Sequence, residues 1–146
     1  GGTVRTFTIE VLDLIEQRLK EISHSIASTF DCHAEVSFTR SYPPLINHAN
    51  EVAFASEVMG ELVGSQNVNA NIDPTMGAED FAFMLLEKPG CYVFLGNGDG
   101  DHRAVGHGMG PCHLHNPSYD FNDALIPVGV SYWVKLAQHY LEKTPT

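Results

Sequence analysis

The sequence predicts an α/β fold, and three observations carry that expectation. Ala34, Val36 and Phe38 alternate with Glu35, Ser37 and Thr39, the period-two pattern of a strand covered on one face. Val11, Ile15, Leu19, Ile22 and Ile26 recur at three- and four-residue steps, the stripe of an amphipathic helix. Residues 91–95 (CYVFL) form an unbroken apolar run, which fits a strand buried on both faces.

In chain order, residues 3–7 (TVRTF) are rich in β-branched side chains and predict a strand. Thr8 is placed to cap the helix that carries the stripe, with Glu10, Asp13, Glu16 and Glu21 toward water. The alternating segment 34–39 follows, so the first forty residues predict a β-α-β unit with a one-sided sheet. Tyr42-Pro43-Pro44 ends it, because neither proline can donate to a ladder. Asn50 can cap a second helix carrying Val52, Ala55, Met59 and Leu62 and closed by Gly64. A short strand over 68–72 leads to a turn at 74–77 (PTMG), then to a helix through Phe81, Met84 and Leu85 that Pro89-Gly90 stops. After the 91–95 strand and the 101–123 loop, Asn122 or Asp123 caps a last helix, whose first turn tolerates Pro127. Leu125, Gly129, Trp133, Leu136 and Tyr140 line one side of it. Val128, Val130, Val134 and Leu141 make much of the rest apolar, so packing on more than one face is expected. The change from a one-sided to a two-sided pattern places a domain boundary at the prolines, giving 1–43 and 44–146.

The 146 residues carry a formal charge of −10, of which −2 falls up to Leu45 and −8 beyond it. With no basic patch, nucleic acid and anionic membrane are excluded as expected partners. The longest apolar run, 81–86, is far too short to span a bilayer. Three cysteines, at 32, 91 and 112, are an odd number without framework spacing, which points to a reducing cytoplasm. The chain starts at Gly1, without Met, in what reads as the middle of a strand, so residues upstream are expected to have been removed.

The chemistry concentrates in residues 101–123, which hold His102, His107, Cys112, His113 and His115 and lack helical or strand periodicity. Long aperiodic loops in compact domains are uncommon unless functional. Imidazole, thiolate and carboxylate form the ligand set of zinc and related ions, and His113 and His115 share a side if the backbone is extended. The alternatives are that these histidines cap turns, that Cys112 is inert packing, and that Asp120, Asn122 and Asp123 only shape the turn and cap the helix. Gly77 and Ala78 sit at a strand-to-helix turn where exposed N–H groups can hold an anion or carbonyl oxygen. Glu79 and Asp80 beside it could be ligands or a base, or simply acids favoured in a first helical turn. Arg5 could grip a carboxylate through two parallel hydrogen bonds, or be a solvated sheet arginine.

Taken together, GTVRTF at 2–7, YPP at 42–44, PTMGAEDFAF at 74–83, FLGNG at 94–98 and LHNPSYDFND at 114–123 resemble the M20 metallopeptidase family. The subgroup is that of hippurate hydrolases, N-acyl-amino-acid amidohydrolases and plant auxin-conjugate hydrolases. The resemblance implies a catalytic α/β domain of the zinc-peptidase kind holding two divalent metals (zinc, manganese, nickel or cobalt), with an inserted ferredoxin-like lid that often mediates dimerisation. On that basis 1–43 is the second half of the lid and 44–146 the C-terminal part of the catalytic domain. His115 matches the family's last metal ligand, Arg5 a lid arginine that contacts the substrate carboxylate, and Gly77 and Ala78 a turn facing the substrate, where the family usually has Gly-Gly. His113 and Glu79 are further candidates. The remaining ligands and the general-base glutamate match nothing here. The resemblance therefore implies a parent enzyme that cleaves the amide bond of small N-acyl amino acids, and a chain that is inactive by itself. Two other readings stay open: a non-catalytic module with its own structural zinc site in the loop 102–115, and a lid-type module dimerising through the edge of its first sheet.

Overall fold

The computed structural model describes residues 1–98, 114–117 and 119–143. Its regular elements are four α-helices, α1 (Ile9–Thr29), α2 (Ala49–Val63), α3 (Phe81–Glu87) and α4 (Ile126–Lys143), with 3-10 turns at Ser65–Asn67 and Asp123–Leu125. Two compact units result: Gly1–Val52 with Asn71–Tyr92, and Ala53–Ala70 with Val93–Thr146.

The α/β expectation is overturned, because among the described residues there is no strand. The segments 3–7, 34–39, 68–72 and 91–95 are not helical, yet no ladder closes over them, and no backbone hydrogen bond joins 3–7 to 34–39. Alternation reports which side chains share a face, whereas a strand also needs a partner at hydrogen-bonding distance. The face survives without the ladder: Ala34, Val36 and Phe38 are half-buried while Glu35, Ser37 and Thr39 are exposed. The 91–95 run is not buried on two faces, since Val93, Phe94 and Leu95 are 38%, 64% and 56% exposed.

In the first unit, α1 begins where Thr8 Oγ1 accepts from the Val11 N–H at 3.2 Å, as the capping residue predicts. It ends without glycine. Asp31 takes a φ of 50°, and the Cys32 N–H returns to the Ala27 carbonyl at 2.9 Å, a left-handed stop that aspartate tolerates. The half-buried positions of α1 are Leu12, Ile15, Glu16, Lys20, Ser23 and Ala27, a stripe rotated from the apolar one. Arg40 lies on that covered side. Its Nη1 meets Asp13 at 2.7 Å and its Nη2 meets Glu16 at 2.6 Å, so the 34–40 segment lies along the charged side of the helix. Val11, Leu19, Ile22 and Ile26 remain exposed.

Side chains take the place of a ladder around residues 90–92 as well. The Asn47 amide donates to the Tyr92 carbonyl at 2.8 Å, and its oxygen accepts from the Tyr92 N–H at 2.7 Å. The His48 N–H donates to the Gly90 carbonyl at 3.1 Å. These bonds satisfy the polar backbone that an extended segment otherwise leaves unmade. Ala82 and Leu85 of α3 are buried, with Gly90 brought so close that a Cβ there would lie 3.0 Å from the Leu85 side chain.

Helix α2 starts before Asn50, its residues from Ala53 on belong to the second unit, and it stops at Gly64, whose φ of 85° suits glycine. Its buried positions are Ala55 and Val58. Glu57 pairs with Lys143 at 2.8 Å, and Glu61 with His139 at 3.3 Å and Lys135 at 3.6 Å. Phe54 meets Tyr140 edge-on at 6.4 Å. The expectation that α4 is covered on more than one face fails, because Val130, Trp133, Val134, Tyr140 and Leu141 are all more than half exposed. Its half-covered positions are Val128, Gly129, Ser131, Tyr132, Lys135, Leu136 and His139.

Candidate functional site

Residues 120–122 are held by reciprocal asparagines. Asn97 Nδ2 donates to the Asp120 carbonyl at 2.8 Å, and Asn97 Oδ1 accepts from the Asn122 N–H at 2.8 Å. Asn122 returns a bond from Nδ2 to the Asn97 carbonyl at 3.4 Å, while its own Oδ1 accepts from the Ala124 N–H at 3.1 Å and starts the turn into α4. Gly98, with a φ of 72°, turns the chain directly after the clamp. Further back, the Tyr119 N–H donates to the Asn116 carbonyl at 2.9 Å, and Tyr119 and Phe121 stack edge-on at 4.9 Å.

His115 precedes that turn. It is exposed, and its φ of 71° lies in the left-handed region, which histidine enters more readily than most residues with a Cβ. His102, His107, Cys112 and His113 lie outside the described residues. The extended backbone that would set His113 and His115 on one side is therefore not met at His115.

The other candidates fall in the first unit. Arg5 is exposed and donates from Nη1 to Thr3 Oγ1 at 3.1 Å. Gly77 sits in open space, with only Thr75 Oγ1 within 4.0 Å of where a Cβ would be. Neither Gly77 nor Ala78 has a left-handed φ, so the Ala78 methyl costs no backbone strain. Glu79 is the most connected of the group. Hydrogen bonds with the Asp80 carboxyl, the Phe81 N–H and the Tyr92 hydroxyl hold its carboxyl below the usual range, and the same bond raises the Tyr92 hydroxyl. Phe81 and Tyr92 flank it at a ring separation of 5.9 Å, and Tyr42 and Phe83 form a second pair at the same spacing.

Sequence reasoning did not find the Asn97–Asn122 clamp or the Tyr92 contact to Glu79. The Asn97-Gly98 dipeptide signals a turn, but nothing local says which distant segment its amide would meet.

The glycine turn and the hydrogen-bonded Glu79 thus belong to the first unit, and His115 with the turn that follows it to the second. The profile of peptidase family M20/M25/M40 matches residues 3–139. The chain belongs to that family, as the motifs implied. It is 35% identical over 140 residues to a hippurate hydrolase of Campylobacter jejuni, covering 96% of this chain and 34% of that protein. An IAA-amino acid hydrolase of Arabidopsis thaliana is 30% identical over 97% of this chain and 32% of its own length. An N-acetyldiaminopimelate deacetylase of Lacticaseibacillus casei is 29% identical, over 97% and 34%. The chain thus spans about a third of the curated relatives it matches. No solved structure matches it.

Hydrolysis in this family depends on divalent metal. Among the described residues no three ligand-type side chains converge, and His115 is the single motif-matched donor. A hydrolytic site needs about three protein ligands. These residues by themselves do not fit a complete one.

Proposed function

We propose that the protein carrying this chain hydrolyses the amide bond of small N-acyl amino acids of the hippurate kind. The observation that supports it is the family match, which runs unbroken from the 3–7 segment through the 114–123 motif. Residues 1–43 belong to the lid and 44–146 to the catalytic part. His115 is a metal ligand in a site of two divalent ions, drawn from zinc, manganese, nickel or cobalt. Arg5 grips the substrate carboxylate, and the Gly77–Ala78 turn faces the substrate beside Glu79. His113 is a further candidate. The general base and remaining ligands come from outside these 146 residues, so the chain by itself is inactive. Setting and assembly belong to the same proposal: a cytoplasmic protein, supported by the free thiols of Cys32 and Cys91, and a homodimer through residues 1–43.

The test substitution is His115→Asn, since asparagine tolerates the left-handed backbone and removes only the imidazole. In the complete protein, turnover of benzoylglycine should fall on the order of 100-fold or more, beyond the loss seen for groups that merely support a ligand. Bound metal per protomer, by elemental analysis, should fall with it. Wild-type turnover in the variant, or full turnover by the 146-residue chain alone, would sink the proposal.

A further inference from the structure

The geometry points to Asn97 as a positioning residue for His115, an inference that rests on the role given to His115 above. A non-glycine residue in the left-handed region persists only where its surroundings over-determine it. Restraints act on the chain that follows His115, and the hydrogen bonds identify two of them. One is the turn closed from the Asn116 carbonyl to the Tyr119 N–H. The other is the Asn97 side chain, which engages Asp120 and Asn122 at once through its donor and its acceptor, both at 2.8 Å.

The clamp is specific to an amide of this length. Aspartate keeps an acceptor for the Asn122 N–H and loses the donor to Asp120. Alanine loses both, leaving a carbonyl and an N–H that must find water. Asn122 cannot substitute, because its Oδ1 is taken by Ala124 and its Nδ2 already points back to the Asn97 carbonyl. Asn97 has no part in the chemistry. It acts by fixing the segment from which the imidazole is presented.

The experiment uses the complete protein with Asn97→Ala, Asn97→Asp and His115→Asn, reading kcat and KM for benzoylglycine and the imidazole NMR resonances of His115, assigned by their loss in His115→Asn. Asn97→Ala should lower kcat about tenfold or more at near-constant KM, as small misplacements of reacting groups do, and should shift the His115 resonances. Asn97→Asp should fall between it and the wild type. Unchanged kcat in Asn97→Ala, with His115→Asn inactive, overturns the inference and leaves the function standing. Lowered kcat with unmoved His115 resonances also overturns it, since that is loss of fold stability alone. If His115→Asn retains full turnover, the proposed role of His115 falls, and this inference falls with it. Should the alanine variant not fold, the aspartate variant is judged by the same readouts.

Discussion

Arg40 shows how one side chain can redirect a segment. Its guanidinium meets two carboxylates one helical turn apart, and this forked contact sets the segment after α1 beside Asp13 and Glu16. Hydrogen bonds from Lys20 and then Arg40 hold the Glu16 carboxyl below its ordinary 4.5. A carboxylate with a lowered folded value contributes stability that is present above about pH 4.5 and lost as pH falls through the lowered value. Glu16→Gln should therefore reduce the melting temperature at pH 7, and the reduction should shrink as pH falls below about 4.5, measured by thermal melts across that range. An equal loss at both ends would show that the contact acts by shape and not by charge. Glu16 was visible in the sequence only as an acid on the wet side of a helix. Its partner Lys20 sits one turn on in the same helix, at a spacing that pairs side chains, whereas Arg40 lies 24 residues away and could not be read from spacing.

The helices were the most legible elements. Thr8 caps α1, Gly64 closes α2, and Asn122 opens the turn into α4, each as its residue type suggests. These signals are local, because a helix end is completed by atoms within about four residues. Thr8→Ala should cost about 1 kcal/mol, the usual loss for a capping hydroxyl, seen as lower helicity and melting temperature in circular dichroism. No change would mean that α1 is held by its contacts and not by its cap. The extended segments were not legible in the same way. Alternation at 34–39 correctly predicted the half-covered face, but not the missing ladder. A periodic pattern carries no information about the other strand. The candidate site divides along the same line: His115, Gly77 and Arg5 are named by motif, while the clamp by Asn97 and the Tyr92 bond to Glu79 depend on contacts across the fold.

For the whole molecule, the exposed stripe of α1 is the feature that the proposed homodimer would use. Val11, Leu19, Ile22 and Ile26 are between 42% and 57% exposed along one helix, left uncovered by the residues of this chain, which spans about a third of its relatives. Ile22→Glu in the complete protein should halve its mass in sedimentation analysis and leave the circular dichroism of the monomer intact. A mass unchanged by the substitution would place the assembly elsewhere. The same stripe shows a limit of pattern reading, since the periodicity was right about a helix and wrong about which side is covered within this chain. No helix among the described residues is long and apolar enough to cross a membrane.

Sequence alone determined the family, through motifs spread from residue 2 to residue 123, and the positions of the helices, whose hydrogen bonds close within one turn. Tertiary structure decided the rest: that among the described residues no ladder closes over the extended segments, that Arg40 meets Glu16 on the covered side of α1, and that Asn97 holds Asp120 and Asn122. The physical reason is distance along the chain. Caps and turns join neighbours, whereas these contacts join residues 23 to 25 apart, and no local pattern specifies which of many distant groups will arrive.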